Sequence, residues 1–251
     1  WHLKEQETMP WLTGTAQWPF KDFSTPVRPD NPVPYMNQKG VVERDLTKKE
    51  AYYVFQSYWT DKPMVRIYGH SMPVRWGEAG EEKMIKVYSN CEEAELFVNG
   101  KSMGMKKRNS QDFPAAGLRW NVQLNKGKND VRVIARKAQV QVEDALSYVY
   151  QTEKWGKPAK LVMEKLAEGK DTVTIEAKLL DDKNVQCLDA ANWIRFGLAG
   201  DGELIDNQGT SSGSRYVQLY NGRAVIKIKT KGGKSVVSAK VETVPTAFIQ
   251  L

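Results

Sequence analysis

The chain has few of the residues that build metal and redox centres. Its two histidines, His2 and His70, leave a histidine-based metal site almost nothing to work with. Its two cysteines, Cys91 and Cys187, lie far apart and outside any metal-ligand spacing. They leave a disulfide open, with a pair of buried free thiols the favoured reading. No run of some 18 apolar residues is present to form a membrane-spanning helix, and no signal peptide is visible. A long basic run is missing too. The net charge of +7 is spread over lysine pairs and single lysines, which reads as a solvated surface before a nucleic-acid footprint.

Aromatic residues, by contrast, are plentiful. Eight Trp and ten Tyr suit either dense β-sandwich cores or sugar-stacking surfaces. With 251 residues, the chain has room for one large or two to three small domains. It opens on Trp1 rather than Met, within a helix-compatible stretch that Pro10 ends, as a fragment of a longer protein would.

The segment Gly14-Thr15-Ala16-Gln17-Trp18 reads as a short covered strand that Pro19 stops. Trp18, Lys21 and Asp22 then fall just past the carboxyl end of that strand, where barrels and open α/β sheets collect binding groups. Lys21 and Asp22 are expected to pair with each other. Pro26, Pro29, Pro32 and Pro34 mark a long irregular loop, closed by Asn37-Gln38-Lys39-Gly40. Thr47 and Glu50 have capping-box spacing, and Ala51, Val54, Phe55 and Tyr58 continue it as an amphipathic helix over 48–59.

Beyond Trp59 the period changes to two. Alternating segments at 64–68, 84–88, 94–98, 118–124 and 129–135 read as antiparallel strands, with a last one over 144–150. Asn99-Gly100 is a hairpin turn. Trp155-Gly156-Lys157-Pro158 reads as a linker or corner. A second set of strands follows at 160–165, 172–180, 192–198, 216–219, 224–228 and 235–241, with a Ser/Gly-rich loop over 209–213. The chain thus divides into 1–60, 61–154 and 155–251.

Pro10 to Trp18, Asp22-Phe23, Asn37-Gln38-Lys39-Gly40, Arg44-Asp45 and the helix to Trp59 together resemble the last strand and helix of the catalytic barrel of family 2 glycoside hydrolases. Tyr88-Ser89-Asn90-Cys91, Glu95 to Lys101 and Trp120 are similar to the immunoglobulin-like domain that follows the barrel in bacterial β-galactosidases of that family. Phe196 and Gly200 to Leu204 are similar to their further carboxyl-terminal sandwich. The resemblance implies a mainly β chain: two immunoglobulin-like β-sandwich domains preceded by the closing βα fragment of a TIM barrel.

It also implies a chemistry. Retaining hydrolysis uses an acid and a nucleophilic carboxylate about 5 Å apart. Both are expected upstream of Trp1, so the chain holds no catalytic residue of its own and is expected to be inactive alone, without a cofactor or metal ligand set. The substrate-binding candidates carried over are Trp18, as an aromatic platform, and Asn37 and Lys39, an Asn-x-Lys pattern that contacts the substrate carboxylate in β-glucuronidases. Related galactosidases carry Asn-x-Lys-Gly at the same place, so a β-galactosidase parent comes first and a β-glucuronidase parent is the alternative. The partners implied are a carbohydrate substrate and the upstream barrel and sandwich domains of the same protein, with no nucleic acid and no membrane span, in a periplasmic or secreted setting. A second class of function is a non-catalytic carbohydrate-binding or structural module using Trp76, Trp120, Trp155 or Trp193. Of these, Trp120 reads as core and Trp76 as the better surface candidate.

Overall fold

The structure, a computed structural model, describes residues 1–30, 35–205 and 214–251. Pro32, Pro34 and the 209–213 loop lie outside the described residues. The chain splits into two compact units, Trp1–Pro26 with Met36–Thr152, and Val27–Tyr35 with Glu153–Leu251.

The first unit begins with the short helix α1 (His2–Gln6), the two-residue strands β1 (Phe23–Ser24) and β2 (Met36–Asn37), and helix α2 (Glu50–Trp59). Eight strands follow: β3 (Val65–Ile67), β4 (Val74–Trp76), β5 (Glu82–Ser89), β6 (Glu93–Val98), β7 (Lys101–Lys107), β8 (Arg119–Gln123), β9 (Gly127–Lys137) and β10 (Val140–Gln151). They form two sheets, in the orders β4-β10-β9-β6-β7 and β3-β5-β8.

The period-two pattern explains the packing between these sheets. Ala94, Leu96 and Val98 alternate with outward residues on β6, and Val131, Val133 and Ala135 do the same on β9. Both sets enter one core with Ile85, Val87 and Trp120. Trp120 is buried, as expected, and its indole N–H donates to the Gly104 carbonyl at 2.9 Å. Trp76 is partly exposed. Asn99 and Gly100 both have positive φ, +51° and +80°, as the tight turn joining β6 to β7 requires. Asn129, fully buried, holds the neighbouring turn: its amide donates to the Asn125 and Gly127 carbonyls and its oxygen accepts the Asn125 N–H.

The second unit carries β11 (Lys160–Glu168), β12 (Thr172–Leu180), β13 (Trp193–Gly200), β14 (Glu203–Leu204), β15 (Ser214–Gln218), β16 (Arg223–Lys229), β17 (Ser235–Lys240) and β18 (Ala247–Gln250). Its sheets run β11-β12-β16-β14 and β15-β13-β17-β18. Ile175, Leu179, Ile194, Phe196, Ile228 and Val237 fill the space between them. Trp155 packs against this core, and buried Asp181 accepts the Gly156, Lys183 and Val185 N–H groups, so the 155–158 segment is a fixed corner. Cys91 and Cys187 are both buried free thiols.

Three expectations are corrected. Residues 14–18 form no strand: the segment is exposed, and among the described residues no strand pairs with its backbone. A covered strand needs hydrogen-bonding neighbours on its edges, and without them the apolar side chains stay in solvent. The capping box does not form either. Lys49 is the N-cap of α2 without a side-chain cap, because the Glu50 carboxylate instead accepts the Gly69 N–H at 3.1 Å. Lastly, Lys21 and Asp22 do not pair, for reasons that belong to the site.

Candidate functional site

The segments 19–24 and 36–49 fold onto each other through their backbones. Val42 donates to the Phe20 carbonyl and accepts from the Asp22 N–H, both at 3.1 Å. Phe23 pairs with Asn37 and Ser24 with Met36. This brings the two segments close enough that no side chain fits at position 40: a Cβ on Gly40 would lie 2.4 Å from the Asp22 nitrogen and 2.6 Å from the Lys21 carbonyl carbon.

Asp22 is the centre of this knot and is 5% exposed. One carboxylate oxygen accepts the Gly40 N–H at 2.8 Å, and both lie 2.8 Å from the Lys49 ammonium. Lys49 also donates to the Gln38 carbonyl at 3.0 Å. A buried carboxylate is tolerable only with such partners. Lys49 reaches it from the start of α2, while Lys21 is exposed and contributes a backbone bridge to Val42. That is why the neighbouring pair expected from sequence is absent.

The three candidate residues are joined through this knot. Trp18 is 72% exposed, and its ring meets Phe23 edge to face at 5.6 Å and 73°. Phe23 is the strand partner of Asn37. Asn37 is 3% exposed, and its side-chain oxygen accepts the Lys39 N–H at 3.0 Å. Lys39 itself is exposed. The buried amide therefore fixes the backbone from which Lys39 extends. The three residues offer a flat π face, amide donors and a point positive charge.

Sequence reasoning missed Asp22 and Lys49 as the supports of this loop; a contact across 27 positions leaves no local signal. It also missed the apolar groove beside the knot, a cavity of about 240 Å³ lined by Phe20, Val41, Tyr52, Phe55 and Trp59. Among the described residues, no cluster of His, Cys, Asp and Glu could hold a metal ion, and no helix is long and apolar enough to cross a membrane.

Comparison with known proteins gives the site a context. Residues 163–250 match the model "Glycoside hydrolase family 2 C-terminal domain 5", and residues 80–143 match a domain of unknown function, DUF4982. The chain is 61% identical to the crystallised β-glucuronidase of Parabacteroides merdae, with a TM-score of 0.88 over 100% of this chain and 32% of that one. It is 55% identical to β-glucuronidase 3 of Bacteroides uniformis, with a TM-score of 0.90 over the same shares. It is also 30% identical to the β-galactosidase BoGH2A of Bacteroides ovatus, over 84% of this chain and 25% of that protein. The chain thus spans between a quarter and a third of the length of the relatives named here.

Proposed function

Because the chain belongs to glycoside hydrolase family 2 and corresponds to a carboxyl-terminal part of its members, we propose that it supplies the sugar-facing closing element of a retaining exo-β-glycosidase acting on terminal β-glucuronides. The observation that carries this reading is the coupling of Asn37 to Lys39, a buried amide setting the backbone of an exposed lysine. A glucuronide differs from its hexoside counterpart in bearing a carboxylate at C6. The Asn37 amide and the Lys39 ammonium are hydrogen-bond donors suited to that carboxylate, and Trp18 offers its exposed face to the C–H face of the ring. The names and identities of the two β-glucuronidases favour this sugar over the galactoside that the sequence put first.

The carboxylate pair that protonates the leaving oxygen and attacks the anomeric carbon lies, in this reading, on barrel strands outside this chain. The chain alone is then inactive. Its exposed Trp11, Phe20 and Trp59, and the groove beside them, are the surface those strands would cover. We place the longer protein in the periplasm or outside the cell, where glycans are degraded, working without an organic cofactor.

The test is hydrolysis of aryl glycosides by the full-length protein that contains this chain. The expected result is a kcat/KM for the β-glucuronide about 100-fold or more above that for the β-galactoside, since a site built around a substrate carboxylate rejects a ring lacking it. Equal or greater activity on the galactoside would overturn the assignment.

A further inference from the structure

The outer face of the first unit's β4-β10-β9-β6-β7 sheet holds a recess that the activity proposed above does not use. Alternation on β9 turns Val131 and Val133 into the core and leaves Asp130 and Arg132 on the other side. Register then sets their neighbours on that face. Phe97 on β6 and Ala145 on β10 flank Arg132, and Ser147 lies opposite Asp130.

The sizes of these side chains explain the hollow. Ala145 and Ser147 are short, and Gly100, in the turn joining β6 to β7, has no side chain. Phe97 and Arg132 stand taller beside them. The result is a cavity of about 620 Å³ whose lining includes these residues and Asp130. Sites for small ligands run from roughly 300 to 1,000 Å³. None of Trp76, Trp120, Trp155 and Trp193 lines it, so its aromatic surface is Phe97, partly exposed to solvent.

The polar groups of the recess are held in place and balanced in charge. Asp130 is 67% exposed, and one of its carboxylate oxygens accepts the Ser147 hydroxyl at 2.6 Å and lies 3.1 Å from the Lys128 ammonium. Those two donors hold the carboxyl below its ordinary value of 3.8, so at neutral pH it only accepts hydrogen bonds. Arg132 pairs with Glu143 through one terminal nitrogen and is still 52% exposed. A guanidinium carries five N–H donors, so this pair leaves most of them for a ligand. Each charge thus has its counter-charge at hand, and the recess calls for no ion. It offers a fixed acceptor and a fixed donor about 6.8 Å apart, on alternate residues of one strand, beside a phenyl ring. That set matches a ring with hydroxyls on its rim and C–H groups on its face, and groups already held in position lose little freedom on binding.

We propose that this recess binds a neutral glycan, a hexose ring lying on Phe97 with hydroxyls donating to Asp130 and accepting from Arg132. An acidic sugar fits less well, because its carboxylate would meet Asp130 while the Arg132 charge is already compensated by Glu143. The site stands or falls independently of the reading of Asn37 and Lys39, neither of which lines it.

Titration calorimetry on the full chain tests this with cellotriose, maltotriose and galactotriose as neutral probes and tri-galacturonate as the acidic one. At least one neutral sugar should bind with a Kd of about 1 mM or tighter, and tri-galacturonate about tenfold more weakly or not at all. Ala145→Leu fills the hollow, Asp130→Ala removes the acceptor, and Phe97→Leu keeps an apolar side chain but loses the flat face. Each should weaken the binding about fivefold or more, with the circular dichroism spectrum of the parent retained. No binding of any of the three neutral sugars, tri-galacturonate binding as tightly as they do, or an affinity unchanged in all three variants would overturn the proposal.

Discussion

Asp22 and Lys49 stand 27 residues apart, yet the Lys49 ammonium sits 2.8 Å from each oxygen of the Asp22 carboxylate. The pair joins the loop that carries Asn37 and Lys39 to the start of α2, with the Gly40 N–H as the carboxylate's other donor. Replacing Lys49 by Met leaves a buried carboxylate with its charge uncompensated. The expected loss is about 1.5–3 kcal/mol in urea unfolding, the range for hydrogen bonds to charged groups. The double variant Asp22→Asn with Lys49→Met should recover part of it. A single variant as stable as the parent would show that the pair is not a support.

Gly40 makes a second, purely steric claim. Its missing Cβ would collide with backbone rather than with a side chain that could rotate away. Gly40→Ala should therefore cost about 1–3 kcal/mol. It should also shift the amide resonances of Lys21 and Asp22 in a spectrum of the variant; unchanged stability and unshifted resonances would contradict the packing described.

The thiols give a chemical test. Cys91 and Cys187 are both fully buried. Burial, with the nearby Asp181 and Asp189 charges, pushes the Cys187 thiol up to about 11. The thiolate is the reactive form, so neither residue should react with a disulfide reagent at neutral pH in the native protein. Two thiols should titrate after denaturation. Rapid native labelling of either would show that its unit is open.

Asp144 predicts part of the acid limb of stability. Burial alone would raise its carboxyl, but the hydrogen bonds from His70 and the Ile67 N–H and the Arg66 charge outweigh it and hold it below its ordinary value of 3.8. A carboxyl depressed in the folded state contributes fully above its unfolded value and loses that contribution as pH falls through its folded value. The stability of Asp144→Asn should thus be less pH-dependent than that of the parent between about pH 5 and pH 2. Parallel profiles would rule out this carboxylate as a source of the acid sensitivity.

How much of this could be read beforehand follows from the range of each interaction. Most strands of both units were legible because a half-buried strand writes its two faces into alternate residues, as β6 and β9 do; β4, β7, β14 and β18 were not named, being short or, like β7, without a buried face. Asn99-Gly100 was legible because few residues adopt positive φ twice in succession. Glu50 misled because a capping box is a local offer, and the Gly69 N–H, 19 residues away, made a competing one. Residues 14–18 misled for the opposite reason: their composition suits a covered strand, but covering depends on neighbours that the described residues do not provide. Trp18, Asn37 and Lys39 were named by resemblance to a family. Their linkage through Phe23 and the Asn37 oxygen emerged only from the fold.

The most direct test of the central claim is a pair of substrates on one variant, Lys39→Met in the full-length protein. If Lys39 meets the C6 carboxylate, kcat/KM for an aryl β-glucuronide should fall by about 100-fold, in line with losing a charge-assisted hydrogen bond of about 1.5–3 kcal/mol. Activity on the matching β-galactoside or β-glucoside, however low, should stay within about threefold of the parent. An equal fall on both substrates, or no fall on the glucuronide, would contradict the account and leave Lys39 as a loop residue without a part in choosing the sugar.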